Sequence, residues 1–247
     1  DAGANVLTGG AGNDTLAGLG GADTLIGGAD IDTADYSASA SGVSVNLATN
    51  VHSGGDAAGD SLSGIENVTG SAFGDVLTGD AQANVLTGSA GADTLDGGDG
   101  DDTLDGGADA DLLTGGAGAD TISGGSGIDT ASYAGSAAAV TVNLATNVNT
   151  GGDAQGDDIS GVENLIGSAG DDTLTGDGAD NVISGGAGAD VIDGGAGAGD
   201  AVDYSASASG VTVNLGTNVN TGGDAQGDDI SNVENVFGSA NADTITG

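Results

Sequence analysis

Along residues 70–132 one aliphatic side chain recurs at every ninth position, as Leu77, Leu86, Leu95, Leu104, Leu113 and Ile122, with Ala131 ending the series. It centres a short segment such as TLD or TIS, and each segment follows six residues rich in glycine, alanine and acid. The stretch therefore divides into seven nonapeptides, from GSAFGDVLT to GGSGIDTAS, with no residue gained or lost. A fixed period of this length predicts a repeat architecture. Three residues with a buried middle make the shortest strand that can hide one face, and the polar six make a turn. Two repeats then close one coil. Successive coils stack as parallel strands around a narrow aliphatic core, so the expected fold is an all-β parallel solenoid.

The period breaks three times, each time for 34 residues beginning at a tyrosine: Tyr36 to Thr69, Tyr133 to Ile166 and Tyr204 to Phe237. The expected organisation is thus nonapeptides over 1–35, 70–132 and 167–203, 34-residue units over 36–69, 133–166 and 204–237, and the start of another array over 238–247, all in one continuous solenoid. Alternation of Val43, Val45 and Leu47 predicts a strand inside the unit, and Leu62, Ile65 and Val68 a further apolar edge. Because 34 is close to twice 18, each unit is expected to form about two modified coils with a loop at GGDAAGD. Tyr36 and Tyr133 follow Ala34 and Ala131 by two residues, which predicts a ring filling space beside a small core residue. Asp1 and Gly247 would join as GDAGANVLT, a near copy of GDAQANVLT, so the chain is expected to be one period or a window of a longer array.

Charge sharpens this picture. There are 38 acids and no Lys or Arg, and only Glu66, Glu163 and Glu234 among the acids are Glu. A surface made acidic for solubility would use both acids; this chain uses the turn-forming one. Such a charge argues against nucleic acid and anionic membrane as partners, and no run approaches a membrane span. One aliphatic side chain per nine residues is a small core against the entropy of ordering nine backbones. Asp occupies position 6 of nearly every repeat, so stacked coils place like charges in columns that repel unless a cation lies between them. With no Cys and one His, zinc and copper are improbable, and oxygen donors in a flexible turn suit Ca²⁺ better than Mg²⁺.

The pattern GGxGxDxUx, present as GGAGNDTLA (Gly9 to Ala17) and GGAGADTIS (Gly115 to Ser123), resembles the calcium-binding nonapeptide of the RTX, or hemolysin-type, proteins of bacterial type I secretion. The resemblance implies a parallel β-roll with several Ca²⁺ ions held between turns two repeats apart. It implies that the position 6 carboxylates are ligands: Asp14, Asp23, Asp32, Asp75, Asp93, Asp102, Asp111, Asp120, Asp129, Asp172, Asp190 and Asp243. It also implies carbonyl ligands. One site would use Gly97 and Asp99 with Asp102, and Gly116 and Gly118 with Asp120. Its neighbours would use Gly88 and Ala90 with Asp93 against Gly107 and Asp109 with Asp111, and Gly106 and Ala108 with Asp111 against Gly125 and Gly127 with Asp129. Asn84 and Asn181 depart from the pattern and should give weak or empty sites. In the fourth repeat after Gly167 an extra residue puts Gly199 where Asp is due, with Asp200 next, which leaves that site in doubt.

No catalytic constellation accompanies these turns. His52 is replaced by Asn149 and Asn220 in the other units, so that position asks only for a polar group. Asp56 with Asp60, Asp153 with Asp157 and Asp158, and Asp224 with Asp228 and Asp229 could bind a further cation or stabilise a loop. The Glu of each unit could bond loop backbone. The expected function is a non-enzymatic, calcium-dependent structural or adhesive segment of a secreted, extracellular or cell-surface protein, continuing into neighbouring repeats or associating with itself as a fibre, matrix or surface layer. Two rivals remain. An ice-binding solenoid would need a regular threonine array, which TLT at 173–175 and TIT at 244–246 do not supply. A secreted enzyme carrying this stretch as a non-catalytic module would need its chemistry elsewhere.

Overall fold

A computed structural model describes residues 2–247; Asp1, and with it the GDAGANVLT junction, lies outside the described residues. The chain divides into two compact units, 1–129 and 130–247. In both, short parallel strands stack on two opposed faces, the all-β roll that the nine-residue period predicts.

In the first unit one ladder runs without a break through Thr15–Leu16, Thr33–Asp35, Asn67–Thr69, Val85–Ala90, Thr103–Ala108 and Thr121–Ser126. Partners in the nonapeptides are 18 residues apart, as Thr103 with Thr121 and Thr94 with Leu112, so two repeats make one coil. The position 8 side chains of both faces meet between the sheets. Leu77, Leu86, Leu95, Leu104 and Leu113 are wholly buried, and their strand neighbours turn outward. Each buried Leu contributes about 1.5–3 kcal/mol, and it does so within a single-file core.

The 34-residue unit departs from the two coils expected of it. On the unbroken ladder it advances a single step, with Thr33 opposite Asn67. On the other face it supplies two strands that belong to different sheets. Ser61–Ser63 pairs back onto Thr24–Ala29 and ends the sheet begun by Val6–Ala11, whereas Ser44–Asn46 pairs forward with Val76–Thr78 and starts a new sheet. The surplus chain between them folds back as an antiparallel bridge of Ser44 with Ser53 and a 3-10 turn at Gly55–Ala57. A coil holds only two short strands, so the extra residues form a second outer strand and a loop rather than another full coil.

The second unit repeats the design. Thr130–Ser132, Asn164–Ile166, Val182–Ser184, Ala201–Asp203 and Asn235–Phe237 form its unbroken ladder. The opposite face carries Thr141–Asn143, Thr173–Thr175, Val191–Asp193 and Asp229–Ser231, followed by a separate pair, Thr212–Asn214 with Thr244–Thr246. Val182 pairs with Ala201 at a spacing of 19, so the extra residue before Asp200 is absorbed in the turn and the ladder keeps its register.

Candidate metal centres

The turns bring the position 6 side chains into rows. Each carboxylate lies beneath the next coil, and its Oδ1 accepts the backbone N–H of the residue one coil back: Asp75 N to Asp93 Oδ1 at 2.7 Å, Asp93 N to Asp111 Oδ1 at 2.8 Å, Asp102 N to Asp120 Oδ1 at 2.8 Å and Asp111 N to Asp129 Oδ1 at 2.9 Å. Asp14 with Asp32, and Asp172 with Asp190, are joined the same way. Apart from half-buried Asp14, these acids are almost wholly shielded; Asp93, Asp102 and Asp190 are at most 2 % exposed.

Their second oxygens divide into two classes. In Asp14, Asp23, Asp32, Asp93, Asp102, Asp111, Asp190 and Asp200, Oδ2 is buried and has no hydrogen-bond partner. A charged oxygen removed from water with nothing to bind is costly. Burial, then neighbouring carboxylates, push Asp93 and Asp190 up to about 7 and Asp102 up to about 6, and raise Asp111 and Asp200. In the second class a protein group fills the place. Asp75 Oδ2 accepts Ser71 N at 2.6 Å, with Ser71 Oγ on Oδ1, and Asp172 is held identically by Ser168. Asp243, half-exposed, accepts Ser239 Oγ and Val211 N on Oδ1, the counterparts of the Ser71 Oγ and Val43 N bonds to Asp75 Oδ1. All three open an array after a 34-residue unit, in a Gly-Ser repeat.

Space beside the unpartnered oxygens is kept by the glycine at position 1. A methyl built on Gly97 would lie 2.3 Å from Asp102 Oδ2 and 2.5 Å from the Gly115 carbonyl oxygen. One on Gly88 would meet Asp93 Oδ2 at 2.2 Å and the Gly106 oxygen at 2.7 Å, and Gly106 stands in the same relation to Asp111 and Gly124. At position 2 of the interior repeats the backbone favours glycine: Gly116 has φ 97° and faces the Gly98 oxygen. Gly107 and Gly125 repeat this against the carbonyls of Ser89 and Gly107, and Gly118 and Gly127 lie over those of Gly100 and Asp109. Ala90 and Ala108 are register partners, and Asp99 turns its side chain outward. Each buried carboxylate thus shares a crowded pocket with backbone carbonyls. Among the described residues no three His, Cys, Asp or Glu side chains converge; the donor set is one or two carboxylates plus carbonyls. That is hard-oxygen chemistry of the kind Ca²⁺ takes.

The profile of a family described as RTX calcium-binding nonapeptide repeat (4 copies) matches residues 1–34, 60–95, 69–104, 96–131 and 160–200, more than half of the chain. The chain belongs to this family. No curated protein matches it. RTX repeats bind calcium, and the unpartnered oxygens fit that ion: the position 6 carboxylates and adjacent carbonyls would hold it, and its charge would compensate the buried rows.

The RTX rows do not stop at the 34-residue units. Asp23 N donates to Asp60 Oδ1 and Asp190 N to Asp228 Oδ1, while Asp32 N donates to Glu66 Oε2 and Asp200 N to Glu234 Oε2. Asp200 itself accepts Asn181 N at 2.8 Å and is 1 % exposed, so the shifted repeat has a complete row member. The sequence alone leaves Asp60 and Asp228 between a further cation and a loop, has the Glu residues at most bonding loop backbone, and puts the Asp200 site in doubt; the structure places Asp60, Asp228, Asp200, Glu66 and Glu234 in the rows.

Tyrosine does more than fill space. Tyr36 Oη donates to Asp60 Oδ2 at 3.0 Å, Tyr133 to Asp157 at 2.7 Å and Tyr204 to Asp228 at 2.6 Å, all buried. Burial and the facing carboxylate hold the Tyr36 and Tyr204 hydroxyls protonated. The Asn departures have a related use. Asn84 Nδ2 donates to the Glu66 carbonyl at 2.7 Å and Asn181 Nδ2 to that of Glu163 at 2.6 Å, one coil back, while each Asn Oδ1 takes the place of the open oxygen and accepts Asp80 N or Asp177 N. His52 accepts Asn46 N through Nδ1 and meets Asn50 Oδ1 through Nε2, and Asn149 reproduces both bonds with Asn143 and Asn147. The interchange of His and Asn is structural.

Proposed function

We propose that this RTX segment is a calcium-dependent structural element of a secreted bacterial protein, without catalytic activity of its own. Inside the cell, where free calcium is low, the acidic chain stays expanded and exportable. Outside, Ca²⁺ enters the turns, neutralises the carboxylate rows and drives folding, because a cation bound only by the folded form adds its binding free energy to stability. The observation that carries this reading is the set of buried Asp Oδ2 atoms without partners, in the rows that interior repeats share. Association with further repeats or with other copies, as a fibre or surface layer, is the finer part of the proposal. The ice-binding alternative draws no support, since few outward positions form Thr pairs.

Far-ultraviolet circular dichroism during a CaCl₂ titration tests it, with MgCl₂ as control and EDTA to reverse. A cooperative gain of β signal with Ca²⁺ alone is expected. A chain fully folded in EDTA would refute calcium-coupled folding. Light scattering on the same samples reads assembly.

A further inference from the structure

We propose that Glu66 and Glu234, which lie outside the nonapeptide pattern, are cation ligands that carry the metal rows across the seam into the 34-residue unit. The two seams are built alike. Asp32 is fully buried; its N–H goes to Glu66 Oε2 at 2.9 Å, its Oδ1 accepts Asp14 N, and its Oδ2 has no partner. A methyl on Gly27 would meet Asp32 Oδ2 at 2.5 Å and the Gly64 carbonyl oxygen at 1.8 Å. At the second seam a methyl on Gly194 would meet Asp200 Oδ2 at 2.9 Å and the Asn232 carbonyl oxygen at 2.0 Å, with Asp200 N donating to Glu234 Oε2 at 3.1 Å. These are the components found at Gly97, Asp102 and Gly115, with Glu in the place of Asp120.

A purely structural role for the glutamates, as acceptors for one N–H, leaves the facing oxygen unexplained. The same units supply protein donors wherever a row is to be closed: Tyr36 on Asp60, Ser71 on Asp75, and the Asn84 amide on the far side of Glu66 itself. At Asp32 and Asp200 no such donor is present, and the oxygen is left facing a carbonyl and bordered by a second acid. Two carboxylates and a carbonyl meeting at a buried, unpartnered oxygen call for a divalent cation with oxygen preference, hence Ca²⁺. Glu66 is half-buried and Glu234 exposed, which gives the ion a route in.

This rests on the calcium reading above, so the test separates the two. Native mass spectrometry counts Ca²⁺ on the folded chain, on Glu66→Gln, on Glu234→Gln and on the interior control Asp102→Asn. Gln keeps an acceptor for the Asp N–H and removes the charge. Each Gln variant should hold one ion fewer, or bind its last ion at least tenfold more weakly, with the circular dichroism of the saturated chain unchanged. If Glu66→Gln does not fold, Glu234→Gln at the open seam gives the answer. Full occupancy in both Gln variants alongside a loss in Asp102→Asn would overturn the seam sites and leave the calcium reading standing. No bound Ca²⁺ on the unsubstituted chain would overturn both.

Discussion

Replacing Asp102 by Asn should change stability in opposite directions with and without calcium. In the metal-free fold Asp102 is 1 % exposed, its Oδ2 has no partner, and burial lifts it to about 6. Against an ordinary carboxylate near 4, two pK units correspond to up to about 3 kcal/mol opposing the ionised folded form at pH 8. The sign follows from the raised value: the folded state binds the proton more tightly, so the group favours folding below about pH 4 and that favour is lost as pH rises through about 6. Asn escapes this cost. Its Oδ1 can still accept the Asn84 N–H, which leaves its neutral amide beside the Gly115 carbonyl as a donor. With calcium the balance reverses, because the charge that was a burden becomes a ligand. The assay is folding driven by trimethylamine N-oxide in EDTA at pH 8, an osmolyte that favours burial, beside urea unfolding at saturating CaCl₂. The variant should fold at lower osmolyte concentration than the parent and unfold at lower urea. Destabilisation in both media would refute the idea that this carboxylate is kept for a cation.

Four further outcomes follow from the same geometry. Tyr204→Phe leaves Asp228 Oδ2 without its hydroxyl donor and should cost about 1–3 kcal/mol in urea unfolding, with the Ca²⁺ count unchanged. Asn84→Asp removes the amide that closes the row above Glu66 and should add one bound Ca²⁺ by native mass spectrometry. Gly97→Ala drives a methyl to 2.3 Å from Asp102 Oδ2, so the midpoint of the calcium titration should rise at least tenfold while a surface Ala119→Ser leaves it in place. Because Asp93 and Asp190 sit near 7 in the metal-free fold, β signal in EDTA should increase as pH falls from 8 to 5, the direction in which folded-state protonation acts.

Much of this was legible before any coordinates. The nine-residue period fixes the coil, because position 8 has to meet the core and position 6 has to meet its copy one coil on; Asp102 and Asp120 are joined as that spacing requires. What escaped is what the period does not govern. Asp200 looks displaced in the chain, yet one residue of slack in a glycine turn leaves the strand register whole. Asp75 and Asp172 share the motif of Asp93, serine at position 2 included, but not its open oxygen: Ser71 and Ser168 turn N–H and hydroxyl back onto the carboxylate, whereas Ser89 is held at φ 89°. The tyrosine pairs were within reach, since each tyrosine precedes its aspartate by 24 residues in every unit, a covariation of spacing rather than of period. Glu66 stands 18 residues before Asn84, as Glu163 does before Asn181, and that interval was the available sign that the glutamates occupy row positions.

The coil of two repeats gives the number of nonapeptides between insertions a meaning of its own. Each insertion leaves one face unbroken and opens the other, where its bridge and 3-10 turn emerge. Between the insertions at 133–166 and 204–237 lie four repeats, an even number, and both insertions advance along the same unbroken ladder. Deleting a single nonapeptide there would swing the later loop to the opposite side, and deleting two would restore it. Parity therefore acts as an address. A lineage that gains or loses repeats one at a time flips the side on which its loops are displayed, while one that changes them in pairs alters only the distance between them.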